Sequence, residues 1–245
     1  MNREKSAALG KSILWGICIL LFPVLSGTLS AVLSLETVET LILQGVFMLL
    51  SLTVPCVFIF VKKWNWSEIG FSKIDGGGCK RAAYFLPLLA VFVPVAVEGF
   101  SLKSAAYVWS NLFLYCMVGI AEEVYFRGII PKYLNRAFSR KGVMVLSTLI
   151  FGIGHIASAF TAGSGLEIFL SVLNACIFGW LAIEMAVICK NIVPGILLHA
   201  LFDFETKIVV MQGQALLIAE CVRGAIMVLA AIWLGTVLAK SKAAE

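Results

Sequence analysis

Residues 112–127 read LFLYCMVGIAEEVYFR, and this stretch decides the fold. Leu112 to Ala121 carries no charge; the run then meets Glu122, Glu123 and Arg127. The apolar stretch around it, 105–130, is long enough to cross a bilayer core, which takes about 20 residues as a helix. Ionisable side chains at that depth are costly, so they turn toward a protein interior, a cavity or each other. Other spans must therefore surround this one, and an all-α polytopic membrane helix bundle follows.

The rest of the chain supplies those spans. Of 245 residues, 61% are hydrophobic and 13% charged, and mean hydropathy is +1.00. A soluble domain is about half apolar and one quarter charged. Apolar runs at 12–34, 40–61, 82–101, 105–130, 143–161, 165–189, 192–206 and 214–239 predict about eight transmembrane helices. The connections are short, so residues 1–245 read as a single membrane-embedded domain. The first run is too long for a signal-peptide core and is expected to be retained. Seven cysteines show no CxxC spacing and read as apolar packing residues rather than a disulfide or zinc framework.

The net charge of +5 does not imply nucleic acid, because the cations lie between spans. Arg3, Lys5, Lys11, then Lys62, Lys63, Lys73, Lys80 and Arg81, then Lys132, Arg136, Arg140 and Lys141, then Lys190, and finally Lys240 and Lys242 all fall on one side of eight spans. The opposite connections hold only Lys103 and Lys207. The positive-inside rule places both termini in the cytoplasm. Asp75-Gly76-Gly77-Gly78 reads as a flexible turn. Trp64 and Trp66, beside Lys62 and Lys63, read as an interfacial anchor. Glu98, Glu167 and Glu220 lie at outer span ends and read as solvated; Glu184 and Arg223 call for pairing inside the bundle.

The chain has two histidines, and both lie in apolar segments: Phe151-Gly152-Ile153-Gly154-His155 and His199-Ala200-Leu201-Phe202-Asp203. At about 1.5 Å of helix rise per residue, Glu122 lies roughly 15 Å from the level of Lys132, His155 roughly 21 Å from Lys141 and His199 roughly 14 Å from Lys190. In a core about 30 Å thick, the three clusters share a level near the midplane, which suggests one cavity opening toward the cytoplasm. Glu123 and Arg127 stand at i and i+4 with the acid first, the favourable order for an ion pair. Glu122 is then turned about 100° away. His199 and Asp203 are also i and i+4. Gly152 and Gly154 allow close approach beside His155. Any one cluster has a structural reading, as a buried ion pair or an interhelical hydrogen bond. Together they have the makings of an acid–base site: a base for water, donors for an oxyanion and an acid for a leaving amine. Ser158 is a poor nucleophile candidate, so water is the expected attacker.

These motifs resemble the CPBP family (CAAX proteases and bacteriocin-processing enzymes, or Abi), Rce1-like. Its Glu-Glu-x-x-x-Arg, Phe-x-x-x-His and His-x-x-x-Asn/Asp patterns are similar to Glu122-Glu123…Arg127, Phe151…His155 and His199…Asp203, over about 105–205. The resemblance implies an intramembrane endopeptidase, CAAX prenyl protease 2-like, acting on a membrane-associated or lipidated peptide. Glu122 would activate water with His155 as partner, and His199 and residue 203 would face the oxyanion; Glu123 and Arg127 would support them. Asp203 departs from the asparagine of the Rce1-type pattern: an ionised carboxylate accepts hydrogen bonds but donates none. No cofactor is required on this reading. A zinc variant would use Glu122, His155 and His199 as ligands, without the usual His-Glu-x-x-His helix. A non-catalytic immunity or regulatory protein, binding a toxin peptide or a membrane sensor, is the alternative from another class. A small transporter or proton relay is a third, without visible repeat symmetry. The expected location is a bacterial plasma membrane.

Overall fold

Prolines and small polar side chains decide where the apolar runs bend. A computed structural model describes residues 2–73, 81, 83–160 and 164–242, with the side chains of 158–160 and 240–242 outside that description. The Asp75–Gly78 turn, Cys79, Lys80, the Ser158 side chain and those of Lys240 and Lys242 therefore lie outside the described residues. Among the described residues the fold is all-α, with only an isolated bridge between Phe100 and Val209.

Five stretches are long and apolar enough to cross a membrane unaided: Arg3–Val32, Thr37–Lys62, Arg140–Ala157, Gly165–Cys189 and Gly213–Ala239. The other three expected spans are less regular. The third is shorter, a 3₁₀ segment Ala83–Phe92 continuing into Val93–Ala96. The fourth, residues 105–134, and the seventh, Val193–Ile208, carry two of the three ionisable clusters. Many large apolar side chains point outward, including Leu14, Phe60, Leu86, Phe169 and Leu229, as a lipid-facing surface requires. Gly165–Cys189 is the central helix, more than half buried.

Two prolines remove backbone donors, and in both cases a side chain replaces them. Pro55 has no N–H for the carbonyl of Ser51, so the second span breaks into Thr37–Ser51 and Thr53–Lys62. The Tyr125 hydroxyl donates to that Ser51 carbonyl at 2.8 Å. Pro131 lies after a π-helical turn, Val124–Ile129, in which the N–H of Ile130 bonds to Tyr125 O five residues back. At that spacing the next donor, for Phe126 O, would be Pro131, which has none. Buried Ser147 donates to Phe126 O at 2.7 Å instead. In a membrane such freed carbonyls are tolerated only where the bundle satisfies them.

Helix Ala105–Glu123 packs between Thr37–Ser51 and Val193–Ile208. A Cβ on Gly119 would come within 3.0 Å of Ile196 O and Ala200 N, so the two backbones touch one turn before Glu122 and Glu123. Gly152 packs more closely still on Cys176; its bare surface serves helix packing rather than access to a substrate. Trp66 is half exposed, as an interfacial anchor would be. Trp64 is less exposed and sits in a cluster with Phe58 and Tyr133, ring centroids 5.2 and 5.8 Å away, and beneath the Lys132 ammonium. The six described cysteines are free thiols.

Candidate active site

Glu123 anchors the site. Its side chain is fully buried, and Oε1 lies 3.0 Å from Arg127 NH1 and 2.9 Å from His199 Nδ1. The i, i+4 ion pair expected from the sequence is present, and it also holds the imidazole of the seventh span. Arg127 lies flat on the Phe151 ring, 4.2 Å from its centroid, and donates to Gly179 O at 3.4 Å. Three spans are thus tied to one guanidinium.

His199 is the hub. With Nδ1 taken by Glu123, Nε2 faces Glu122 Oε2 and Asp203 Oδ2, each 3.6 Å away. That separation is too long for a direct hydrogen bond. Glu122 keeps a fifth of its side chain exposed while Glu123 keeps none. The adjacent acids therefore divide: one is reachable by solvent, the other locked in the framework. Glu122 Oε2 has no protein hydrogen-bond donor among the described residues, and neither does Glu123 Oε2.

His155 stands on the neighbouring wall. Its Nδ1 lies 3.0 Å from Phe151 O, and the two rings pack at 4.7 Å. Phe151 also meets His199 edge-on at 5.9 Å, so one phenyl ring spaces the two imidazoles. Glu122 is within electrostatic reach of both histidines, Asp203 and Arg127. All six residues singled out from the sequence converge here.

His155, His199 and Asp203 line a cavity of about 640 Å³; Glu122 does not line it and meets it through His199. The cavity runs to Glu167, Gly213 and Glu220, at the end of the bundle opposite the basic connections. This corrects the expected opening at the basic end. The depth of each cluster fixed its level but not which way the site faces. Toward the basic end it is closed by the Glu123–Arg127 pair and by the turn Trp66–Ile69, whose buried Ile69 packs on Gly128. Glu220 is also corrected: it is bound to the fully buried Arg223 at 2.7 Å rather than simply solvated. Arg223 further pairs with Glu205 at 3.6 Å and lies 3.6 Å over the Phe202 ring. Glu184 is buried, near Gly235.

Sequence reasoning missed the aromatic wall of Phe178 and Phe202, with Phe178 4.7 Å from His199. It also missed the polar stripe Glu167, Ser171 and Asn174, which lines the cavity on the same helix as Phe178. The stripe was readable: polar residues at i, i+4 and i+7 of an otherwise apolar span mark one inward face. No group of three His, Cys, Asp or Glu among the described residues is arranged as metal ligands.

A family model described as type II CAAX prenyl endopeptidase, Rce1-like, matches residues 104–204. Over this stretch the chain is similar to the Rce1-like endopeptidases. The Rce1-like stretch begins at Ser104, the N-cap of the Glu122 helix, and takes in all six site residues. The cavity wall at Gly213–Glu220 lies beyond it. Comparison with curated proteins and with solved structures gave no match.

Proposed function

We propose that the Rce1-like core is an intramembrane endopeptidase that hydrolyses a peptide bond with water activated by Glu122. The observation that carries this is the placing of His199 between a locked glutamate at 2.9 Å and a solvent-reachable one at 3.6 Å, on the wall of a cavity inside an apolar bundle. Glu122 takes a proton from water, and the hydroxide attacks the carbonyl carbon. The oxyanion faces His199 Nε2, which donates there as the imidazolium while Nδ1–H stays on Glu123. The proton on Glu122 then passes to the leaving amine nitrogen as the C–N bond breaks. Preorganised donors of this kind are worth a factor of about 10²–10³ each. Asp203 flanks Nε2 and holds the ring's charge rather than donating to the oxyanion, consistent with its acceptor-only chemistry. His155, with Phe151, forms the wall against which the peptide lies.

The apolar lining of Phe178, Phe202, Leu170 and Leu217 suits a membrane-associated or lipidated peptide. Entry is from the Glu167–Glu220 end, which the charge distribution of the connections assigns to the outer side. The test is incubation of the detergent-purified chain with a prenylated CAAX peptide, the same peptide without the prenyl group, and an unrelated apolar membrane peptide, with mass spectrometry of the products. Cleavage of the first alone assigns a prenyl endopeptidase; cleavage of the apolar peptides assigns a broader peptidase. No product from any of the three, with the protein folded, overturns the reading.

A further inference from the structure

Two further cavities lie at the basic end, the smaller of them reaching the far side of Arg127. One, about 360 Å³, sits beside the turn Trp66–Ile69 and the start of helix Arg140–Gly154. The other, about 800 Å³, lies between the ends of Gly165–Cys189 and Gly213–Lys242. Arg140, Val187 and Lys190 line both, so these residues form the partition between them. Lys132 faces the first cavity and Arg81 the second.

The charge there is unbalanced. Among the described residues, the one acid on either lining is Glu68. It is already committed to Lys132 at 3.0 Å, a hydrogen bond that holds its carboxyl below the usual carboxylate range. No carboxylate of the described residues pairs with Arg140 or Lys190. Two neighbouring cations that no carboxylate of the described residues neutralises repel each other. Arg140 also opens a helix, where the N-terminal dipole favours an anion. The larger cavity then changes character: Val187, Ile188, Trp233 and Val237 make an apolar wall, and Trp233 is more than a third exposed.

We infer that this partition binds the phosphate of an anionic phospholipid, with Arg140 and Lys190 on the headgroup and an acyl chain against Trp233 and Val237. Free phosphate offers the same anion, but it leaves the apolar wall unused. Basic pockets between transmembrane helices beside an apolar surface take anionic headgroups for this reason. The inference does not depend on the peptidase reading.

The experiment is native mass spectrometry of the full chain from nanodiscs of equal phosphatidylglycerol and phosphatidylcholine, with affinities from lipid titration. The expected result is a retained phosphatidylglycerol. At about 1 kcal/mol per basic residue near an anionic surface, Arg140→Gln with Lys190→Gln weakens it roughly thirtyfold. Arg3→Gln with Lys5→Gln removes the same charge from the same end and changes it less than about threefold. The charge-preserving Arg140→Lys with Lys190→Arg keeps the lipid, which separates loss of binding from loss of fold. Equal retention of phosphatidylcholine, equal weakening by the two charge-removing pairs, or displacement of the lipid by millimolar inorganic phosphate would each overturn the inference.

Discussion

Ser147→Ala should destabilise the protein through a carbonyl that the substitution never touches. The Ser147 side chain is buried and donates to Phe126 O at 2.7 Å. That carbonyl lacks its helical partner because the π turn passes the Ile130 N–H to Tyr125 O, and because Pro131 has no N–H. Alanine would leave the acceptor buried with nothing to accept from, at a cost of about 1–3 kcal/mol. The turn carries Arg127, so loosening it should also slow any cleavage. The diagnostic is a cycle with Pro131→Ala, which restores a backbone N–H at residue 131. On that background Ser147→Ala should cost at least about 1 kcal/mol less, within the range of coupling between residues that share a hydrogen-bond network. Unfolding by SDS titration in mixed micelles, followed by circular dichroism, gives all four corners. Additivity within about 0.5 kcal/mol, the behaviour of independent sites, would refute the account of the π turn.

Glu123→Gln should cost about 3–5 kcal/mol, because it leaves the Arg127 guanidinium buried and uncompensated; thermal unfolding in detergent would show this as a large downward shift, and an unchanged midpoint contradicts the anchoring role. Asp203→Asn should lower the cleavage rate as Asp203→Ala does, since both remove the charge that holds the His199 imidazolium; a native rate for Asp203→Asn would remove that charge from the chemistry. Treatment with a strong zinc chelator should leave the rate unchanged, and loss that added zinc restores would move the mechanism to a metal.

The bundle was legible because ionisable residues inside apolar runs leave few alternatives. Glu122, Glu123 and Arg127 could not face lipid, and the shared level of His155 and His199 came from counting residues to the nearest basic connection. The Glu123–Arg127 spacing foretold an ion pair that the structure contains. What spacing could not show was that the same carboxylate also holds His199, because that contact depends on how closely Gly119 lets two helices approach. The π turn had a signal in Pro131, but a missing donor does not say which neighbour will replace it. The direction of the cavity was misread for a similar reason: depth is a local property of one helix, whereas closure of the basic end depends on the Ile69 turn folding back onto Gly128. The packing of Trp64 against Phe58, Tyr133 and the Lys132 ammonium had no signal in the local sequence.

The central claim is that Glu122 activates the attacking water. Single-turnover cleavage of a membrane-associated peptide, read by mass spectrometry, should be at least about 10³-fold slower for Glu122→Gln than for the native chain, the scale expected for loss of a general base. The exchange removes no direct hydrogen bond to Glu122, so the unfolding midpoint should stay close to native. Equal rates from the two proteins would contradict the account.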